Sequence, residues 1–304
     1  DPAFFKDTKS PSQGNVQQPL NESALREAMV QYPKASLIAG GTDLMLEVTQ
    51  RYQHFERLID VSRVMELRSI TETQDTYCIG ASVTYTELER FFAQRSQSLV
   101  SLLHRLGSRQ IRNCGTIGGN LANGSPIADM PPVLICWGAT VELCTSSGQT
   151  RGVSINEFYR GYRQTVLQAD EYIAGIRIPK RSLDSFARFY KSSKRIEDDI
   201  SSVMGAFLFQ GDGSKITAAR IAFGGMAATP VSLPGIEDIL VGKTINKRLL
   251  SEVGEAIGEM MSPMTDVRAS AEYRAAMARS MLERALNEFS GVSKPLVMEL
   301  KLHA

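Results

Sequence analysis

The sequence predicts an α+β protein built in two parts, and three observations carry that prediction. The N-terminal half reads as helices and short strands that feed glycine-rich loops, the texture of a β-α-β unit. From about residue 186 the pattern changes to alternating runs joined by hairpin signals, followed by long helical patterns. The chain has 304 residues, room for about two domains.

The elements follow in order. Residues 1–15 are polar, carry Pro2, Pro11 and Gly14, and read as a linker or tail. Residues 22–32 form the first predicted helix, with Asn21 as N-cap, a Leu20–Leu25 staple across it, and Pro33 as its stop. Residues 37–38 and 57–61 are apolar strands that complete a small β-α-β unit. A second unit opens with a strand at 77–82. Thr84 and Glu87 stand at capping-box spacing for a helix at 85–93, and a further apolar-faced helix starts at 99 and ends near Gly107. Residues 131–138 are an apolar helix entered through Pro131 and Pro132, and residues 139–145 a strand. Ser154 and Glu157 repeat the capping-box spacing, and a strand at 172–178 stops at Pro179.

In the C-terminal half, residues 186–192, 202–209 and 216–224 alternate like antiparallel strands. The glycines of Gly211-Asp212-Gly213-Ser214 sit between two of these runs and mark a hairpin turn. Helical patterns cover about 245–260 and 270–289. On the last, Ala278, Met281, Leu282, Ala285 and Phe289 share one stripe, a core face.

Two glycine-rich loops carry the chemistry. Ala39-Gly40-Gly41-Thr42-Asp43 follows the strand at 37–38, and Gly115-Thr116-Ile117-Gly118-Gly119-Asn120 follows Ser108–Cys114. Paired glycines allow φ > 0 and leave backbone amides bare, and successive bare amides form a nest that suits an anion. Two nests in one domain predict a diphosphate, and hence a dinucleotide cofactor. The chain lacks the G-x-G-x-x-G hexad of the Rossmann fold, so the binder is of another kind.

At these loops the chain resembles the FAD-binding module of the molybdenum hydroxylases. The match is carried by residues 39–44, 108–120 and 125–129, and by 194–201 and 223–230. It runs from about residue 16 to about 290. A Gly-Gly turn alone is weak, but the ordered set is specific. Within the family the wording is most like the xanthine dehydrogenase branch. The resemblance implies a two-part FAD-binding domain of the PCMH type at 16–183, with a small βαβ subdomain to about 75 and a larger one after it. An α/β C-terminal flavoprotein domain with antiparallel strands and helices would occupy 184–304.

Carried over residue by residue, the resemblance puts Leu37, Ile38, Ala39, Gly40, Gly41 and Thr42, with Asp43, around the FAD diphosphate. Thr116, Gly118, Gly119 and Asn120 would form the second grip, with Thr116 and Asn120 bonding phosphate or ribitol. Leu106 and Gly107 would border the adenine, where the family has an aromatic residue. Asp129 would lie near the polar edge of the flavin, Ile173 over its face, and Lys191 at its pyrimidine carbonyls. Ile111 and Ser125 complete the cofactor-binding set. No residue is expected to be catalytic, since the flavin does the redox work. The resemblance also implies NAD+ as acceptor. The molybdenum cofactor and [2Fe-2S] clusters would sit in partner segments, a molybdenum-cofactor subunit and an iron–sulfur domain, in a cytoplasmic hetero-oligomer. A sister subunit of carbon monoxide, aldehyde or nicotinate type, and a flavin-free assembly module, are the alternatives.

The bulk numbers are ordinary for a globular protein: 43% hydrophobic, 22% charged, net charge +1. Without a basic stripe, nucleic acid is not an expected partner. No apolar run reaches membrane-spanning length, and the start has neither the n-region nor the h-region of a signal peptide. It also lacks an initiator Met, which reads as a fragment or processed subunit. Cys78, Cys114, Cys136 and Cys144 have no metal spacing and read as small core hydrophobes. His54, His104 and His303 are scattered, with His104 expected half-buried in its helix. Residues 194–199 are a charged run, either solvated or a salt-bridged corner beside the flavin. Arg109 and Arg112 precede the second loop and could contact phosphate. No nucleophile elbow or Walker A motif is present.

Overall fold

The computed structural model describes residues 15–292. Most of the predicted tail, and His303, lie outside the described residues. The chain first lays down β1 (Val16–Gln17), α1 (Glu22–Gln31), β2 (Ser36–Ile38), α2 (Leu44–Arg51) and β3 (Leu58–Asp60). These strands pair parallel in the order β1-β3-β2. Asn21 Oδ1 accepts from the amide of Ala24 at 2.9 Å, so the predicted cap forms. Leu25 is fully buried, whereas Leu20 stays half exposed, so the staple is not made. α2 was not anticipated, and it buries no residue.

The second layer comprises β4 (Ile70–Glu72), β5 (Thr76–Gly80), α3 (Tyr85–Phe92), α4 (Gln97–Leu103), α5 (Arg109–Cys114), α6 (Ile117–Ala122) and α7 (Met130–Trp137). It continues through β6 (Thr140–Thr145), β7 (Thr150–Ser154), α8 (Ile155–Phe158), β8 (Tyr159–Gly161), β9 (Gln164–Thr165) and β10 (Glu171–Pro179). Five strands form an antiparallel sheet in the order β4-β5-β10-β6-β7. The Thr84–Glu87 capping box is complete: each backbone amide reaches the other's side chain, at 2.8 and 3.2 Å. At Ser154 the spacing misleads. The side chain makes no cap bond, because β7 runs directly into the single turn of α8. α7 is buried along its whole length, which is why it is apolar on every face.

The third layer holds β11 (Phe186–Ser192), β12 (Val203–Gly211), β13 (Ile216–Gly224), β14 (Val231–Ser232), α9 (Pro234–Leu240), α10 (Lys247–Met260) and α11 (Ala271–Phe289). The sheet is antiparallel in sequence order, and Asp212 closes the β12–β13 hairpin by accepting from the amides of Ser214 and Lys215 at 2.9 and 2.7 Å. Strand alternation sorts β12 and β13 between two cores. Met204, Ala206, Leu208 and Ala222 face α7 and the second layer. Val203, Phe207, Phe209, Ile221 and Phe223 face α9, α10 and α11, with the predicted stripe of Ala278, Met281, Leu282 and Ala285. One sheet therefore belongs to both halves of the protein. A cleft opens where the three layers meet.

Candidate functional site: a cleft lined by both glycine loops

The cleft measures about 1140 Å³. The first loop enters it from the end of β2, at the carboxyl edge of the small parallel sheet. Gly41 turns the chain with φ +68°, a conformation that costs glycine nothing. The amides of Gly40, Gly41, Thr42 and Asp43 donate to no acceptor among the described residues. They stand at the N-terminus of α2, where peptide dipoles add to their attraction for an anion. Gly40 has a different reason to be glycine: a Cβ there would lie 1.7 Å from the carbonyl oxygen of Cys114. The two loops are thus packed directly on each other, and they share one rim of the cleft.

The second loop is not a nest. It is the junction of α5 and α6, and neither Gly118 nor Gly119 has a positive φ. Thr116 is the N-cap of α6 and accepts from the Gly119 amide at 3.1 Å, while the Gly118 amide donates to Ala81 O at 2.9 Å. Close packing, not turn conformation, demands Gly118: a Cβ there would sit 2.6 Å from the Ala81 carbonyl. With its amides committed, this loop offers side chains instead. Asn120 lines the cleft, and its Oδ1 is a buried acceptor with no hydrogen-bond partner among the described residues.

At the far end, Lys191 Nζ donates to Asp129 Oδ2 at 2.7 Å, and Ser201 Oγ donates to Asp129 Oδ1. All three side chains are buried. Behind them, the Arg105 guanidinium donates to the Lys191 carbonyl and, at 3.0 Å, to Ser193 Oγ. Burial pulls the Arg105 pKa down, and attraction to Asp129 opposes it. Burial also drives the Tyr85 phenol well above its ordinary value, and the Asp129 carboxylate adds to this, so Tyr85 is a neutral wall.

The structure brings all the sequence-chosen residues to this one cleft except Gly118 and Ile173. Gly118 lies one residue behind the lining, against Ala81. Ile173 pairs with Leu143 in the middle of the second sheet and points into the main core. Strand alternation, which sequence placement could not phase, turns it away from the cleft. Arg112 is likewise diverted: its guanidinium donates to Gly107 O at 2.9 Å and His104 O at 3.3 Å, pinning the α4–α5 turn. Arg109 is exposed and lies off the cleft. His104 ends α4 half exposed and pairs with Glu89 at 3.0 Å. Cys136 and Cys144 are core residues, but Cys114 is exposed at the end of α5. The charged run is a corner: Asp199 accepts from the Arg195 amide at 2.7 Å, and Asp198 and Asp199 border the cleft.

Sequence reasoning passed over Tyr85, Tyr162, Arg163, Asp266, Arg268 and Arg274, all of which line the cleft. Tyr85 sits in the first turn of α3, where the pattern signalled only capping, and Arg274 in the first turn of α11, where it signalled only a helix. Tyr162 and Arg163 form the turn of the small β8–β9 hairpin. No group of three His, Cys, Asp or Glu side chains among the described residues could hold a metal ion. No helix among them is long and apolar enough to cross a membrane.

The family model for the FAD binding domain in molybdopterin dehydrogenase matches residues 12–181, and the one for the CO dehydrogenase flavoprotein C-terminal domain matches 188–289. The chain belongs to this flavoprotein family. It is the FAD-binding module of a molybdenum hydroxylase, with the mixed α+β fold that the sequence predicts. It is 30% identical to the xanthine dehydrogenase of Drosophila subobscura over 88% of its length, but spans only 21% of that protein. It is 29% identical to the xanthine dehydrogenase FAD-binding subunit of Escherichia coli O157:H7, covering 84% of this chain and 89% of that one. It is 32% identical to the carbon monoxide dehydrogenase medium chain of Hydrogenophaga pseudoflava, covering 83% and 88%. The solved carbon monoxide dehydrogenase of that organism superposes with a TM-score of 0.84 at 29% identity, covering 92% and 98%. Quinoline 2-oxidoreductase from Pseudomonas putida 86 gives 0.84 at 27%, covering 91% and 97%.

Proposed function

We propose that this chain holds FAD in the three-layer cleft as the electron-relaying component of a xanthine dehydrogenase, with NAD+ as the acceptor. In this reading the molybdenum cofactor and [2Fe-2S] clusters belong to partner segments of a cytoplasmic hetero-oligomer. The observation that carries the cofactor assignment is the unmatched set of hydrogen-bonding groups along one cleft. At one rim the free amides of Gly40 to Asp43, with the start of α2, suit a diphosphate. In the middle, the orphan Asn120 Oδ1 suits a hydroxyl donor such as ribitol carries.

At the far end, Lys191 and Asp129 suit the polar edge of a flavin ring. When bound, FAD supplies the redox chemistry, and the chain contributes binding, orientation and electrostatics. The apolar residues Leu37, Ile38, Leu106 and Ile111 border the same space and exclude water from it.

The relatives support both a purine enzyme and a carbon monoxide enzyme. The wording at residues 108–129 and 223–230 favours the purine reading. The test has two arms. The purified chain should take up one FAD, seen as flavin absorbance that survives gel filtration; a colourless protein after incubation with FAD overturns the cofactor assignment. The complex purified with its partners should reduce NAD+ with xanthine but not with carbon monoxide; the reverse preference overturns the purine reading alone.

A further inference from the structure

Arg274 stands in the first turn of α11 and is 2% exposed. Its Nη1 donates to the carbonyls of Ser202 and, at 3.1 Å, of Gly225, and its Nη2 donates to Asp266 Oδ1 at 2.7 Å. Gly225 makes room for this: its φ is +81°, and a Cβ there would meet Ser202 O at 2.6 Å and Arg274 Nη1 at 3.0 Å. The neighbouring Tyr273 hydroxyl meets Ser192 Oγ at 3.0 Å, and the Ser202 amide donates to Ser192 O at 2.8 Å. The first turn of α11 therefore grips the end of β11, the start of β12 and the end of β13.

Those three strand ends carry the far end of the cleft. Lys191 immediately precedes Ser192, Ser201 immediately precedes Ser202, and both side chains donate to Asp129. The Gly225 amide donates to Pro126 O at 2.8 Å, which ties the same corner to the segment leading to Asp129. A planar guanidinium can serve two carbonyls and a carboxylate at once, and an ammonium cannot reproduce that fork.

We infer that Arg274 is a positioning residue, which clamps the strand-end corner and so fixes how far Lys191 and Asp129 reach into the cleft. The clamp is a property of the chain itself, and its consequence for FAD rests on the reading given above. Removing the guanidinium takes this donor from the buried Ser202 carbonyl and the partly buried Gly225 carbonyl, and the corner must open to hydrate them.

The test is amine labelling of the full FAD-free chain with formaldehyde and cyanoborohydride, read by mass spectrometry. In Arg274→Met, Lys191 labelling should rise about fivefold through local opening, while the more exposed Lys180 and Lys243 stay unchanged. Arg274→Lys should move in the same direction. Wild-type labelling of Lys191 in a folded Arg274→Met variant overturns the clamp. Should that variant fail to fold, Arg274→Lys keeps the charge and loses the fork to both carbonyls, and an unchanged Lys191 there overturns the clamp equally. FAD titration should show affinity about tenfold weaker in Arg274→Met. Unchanged affinity beside raised labelling overturns the positioning role. A wild-type chain that binds no FAD overturns the reading of the cleft instead, and the labelling result then still decides the clamp.

Discussion

Gly118 and Gly119 are adjacent and do different jobs, which only their surroundings reveal. A side chain at 118 would run into the Ala81 backbone, whereas one at 119 would meet only the Thr116 hydroxyl, at 2.9 Å, and otherwise face the cleft. Gly118→Val should therefore cost stability, about 1–3 kcal/mol from overpacking, read as a lower thermal midpoint of the FAD-free chain. Gly119→Val should lower that midpoint less, since it disturbs only the Thr116 cap, and should abolish FAD uptake, because its branched side chain fills cleft space. Equal thermal losses in the two variants would show that both glycines serve packing. The glycine requirement at this loop was legible in the sequence, but its cause was not. A helix start packed on a neighbouring strand and a φ > 0 turn both select glycine, and local sequence cannot separate them.

At the scale of elements, the second sheet has a clasp. Arg151 on β7 reaches across β6 to Glu171 on β10, with bonds of 2.6 and 2.8 Å, and Glu171 also accepts from the Gln168 amide at 2.9 Å. The bond from Arg151, aided by that amide, holds the Glu171 carboxyl below the usual carboxylate range. A depressed folded-state pKa stabilises the protein above the unfolded value and loses that contribution as pH falls through the folded one. The clasp should therefore hold at neutral pH and weaken as the pH falls below the ordinary carboxylate range. Arg151 is partly exposed, so solvent screens the pair. Glu171→Gln should lower stability by only about 1–2 kcal/mol at pH 7. Urea unfolding at pH 7 and pH 3 checks this: the deficit should shrink at pH 3, and a deficit equal at both values would mean that the ionised carboxylate contributes nothing.

At the scale of the whole molecule, the sheet of β11, β12 and β13 is shared. One face packs on α7 and the other on α10 and α11. The sequence shows a change of texture near residue 186, which invites a division into independent halves. The shared sheet argues that the halves melt together. Differential scanning calorimetry of the full chain should show one cooperative transition, and two well-separated transitions would count against a common core. The cleft has the same dependence. Its glycine rim comes from the first two layers, Lys191 and Ser201 from the third, and its corner is gripped by α11.

The sequence by itself determined the class of elements, the hairpin and long helices of the second half, and the two glycine loops that line the cleft. Local periodicity, caps and glycines act within a few residues, so they are written where they work. Only the tertiary structure decided that the second loop offers side chains rather than amides, that Ile173 and Arg112 turn to the core and to the α4–α5 turn, and that Tyr85 and Arg274 border the site. Each of those outcomes depends on which face of an element meets a partner distant in the chain, and no short window of sequence carries that information.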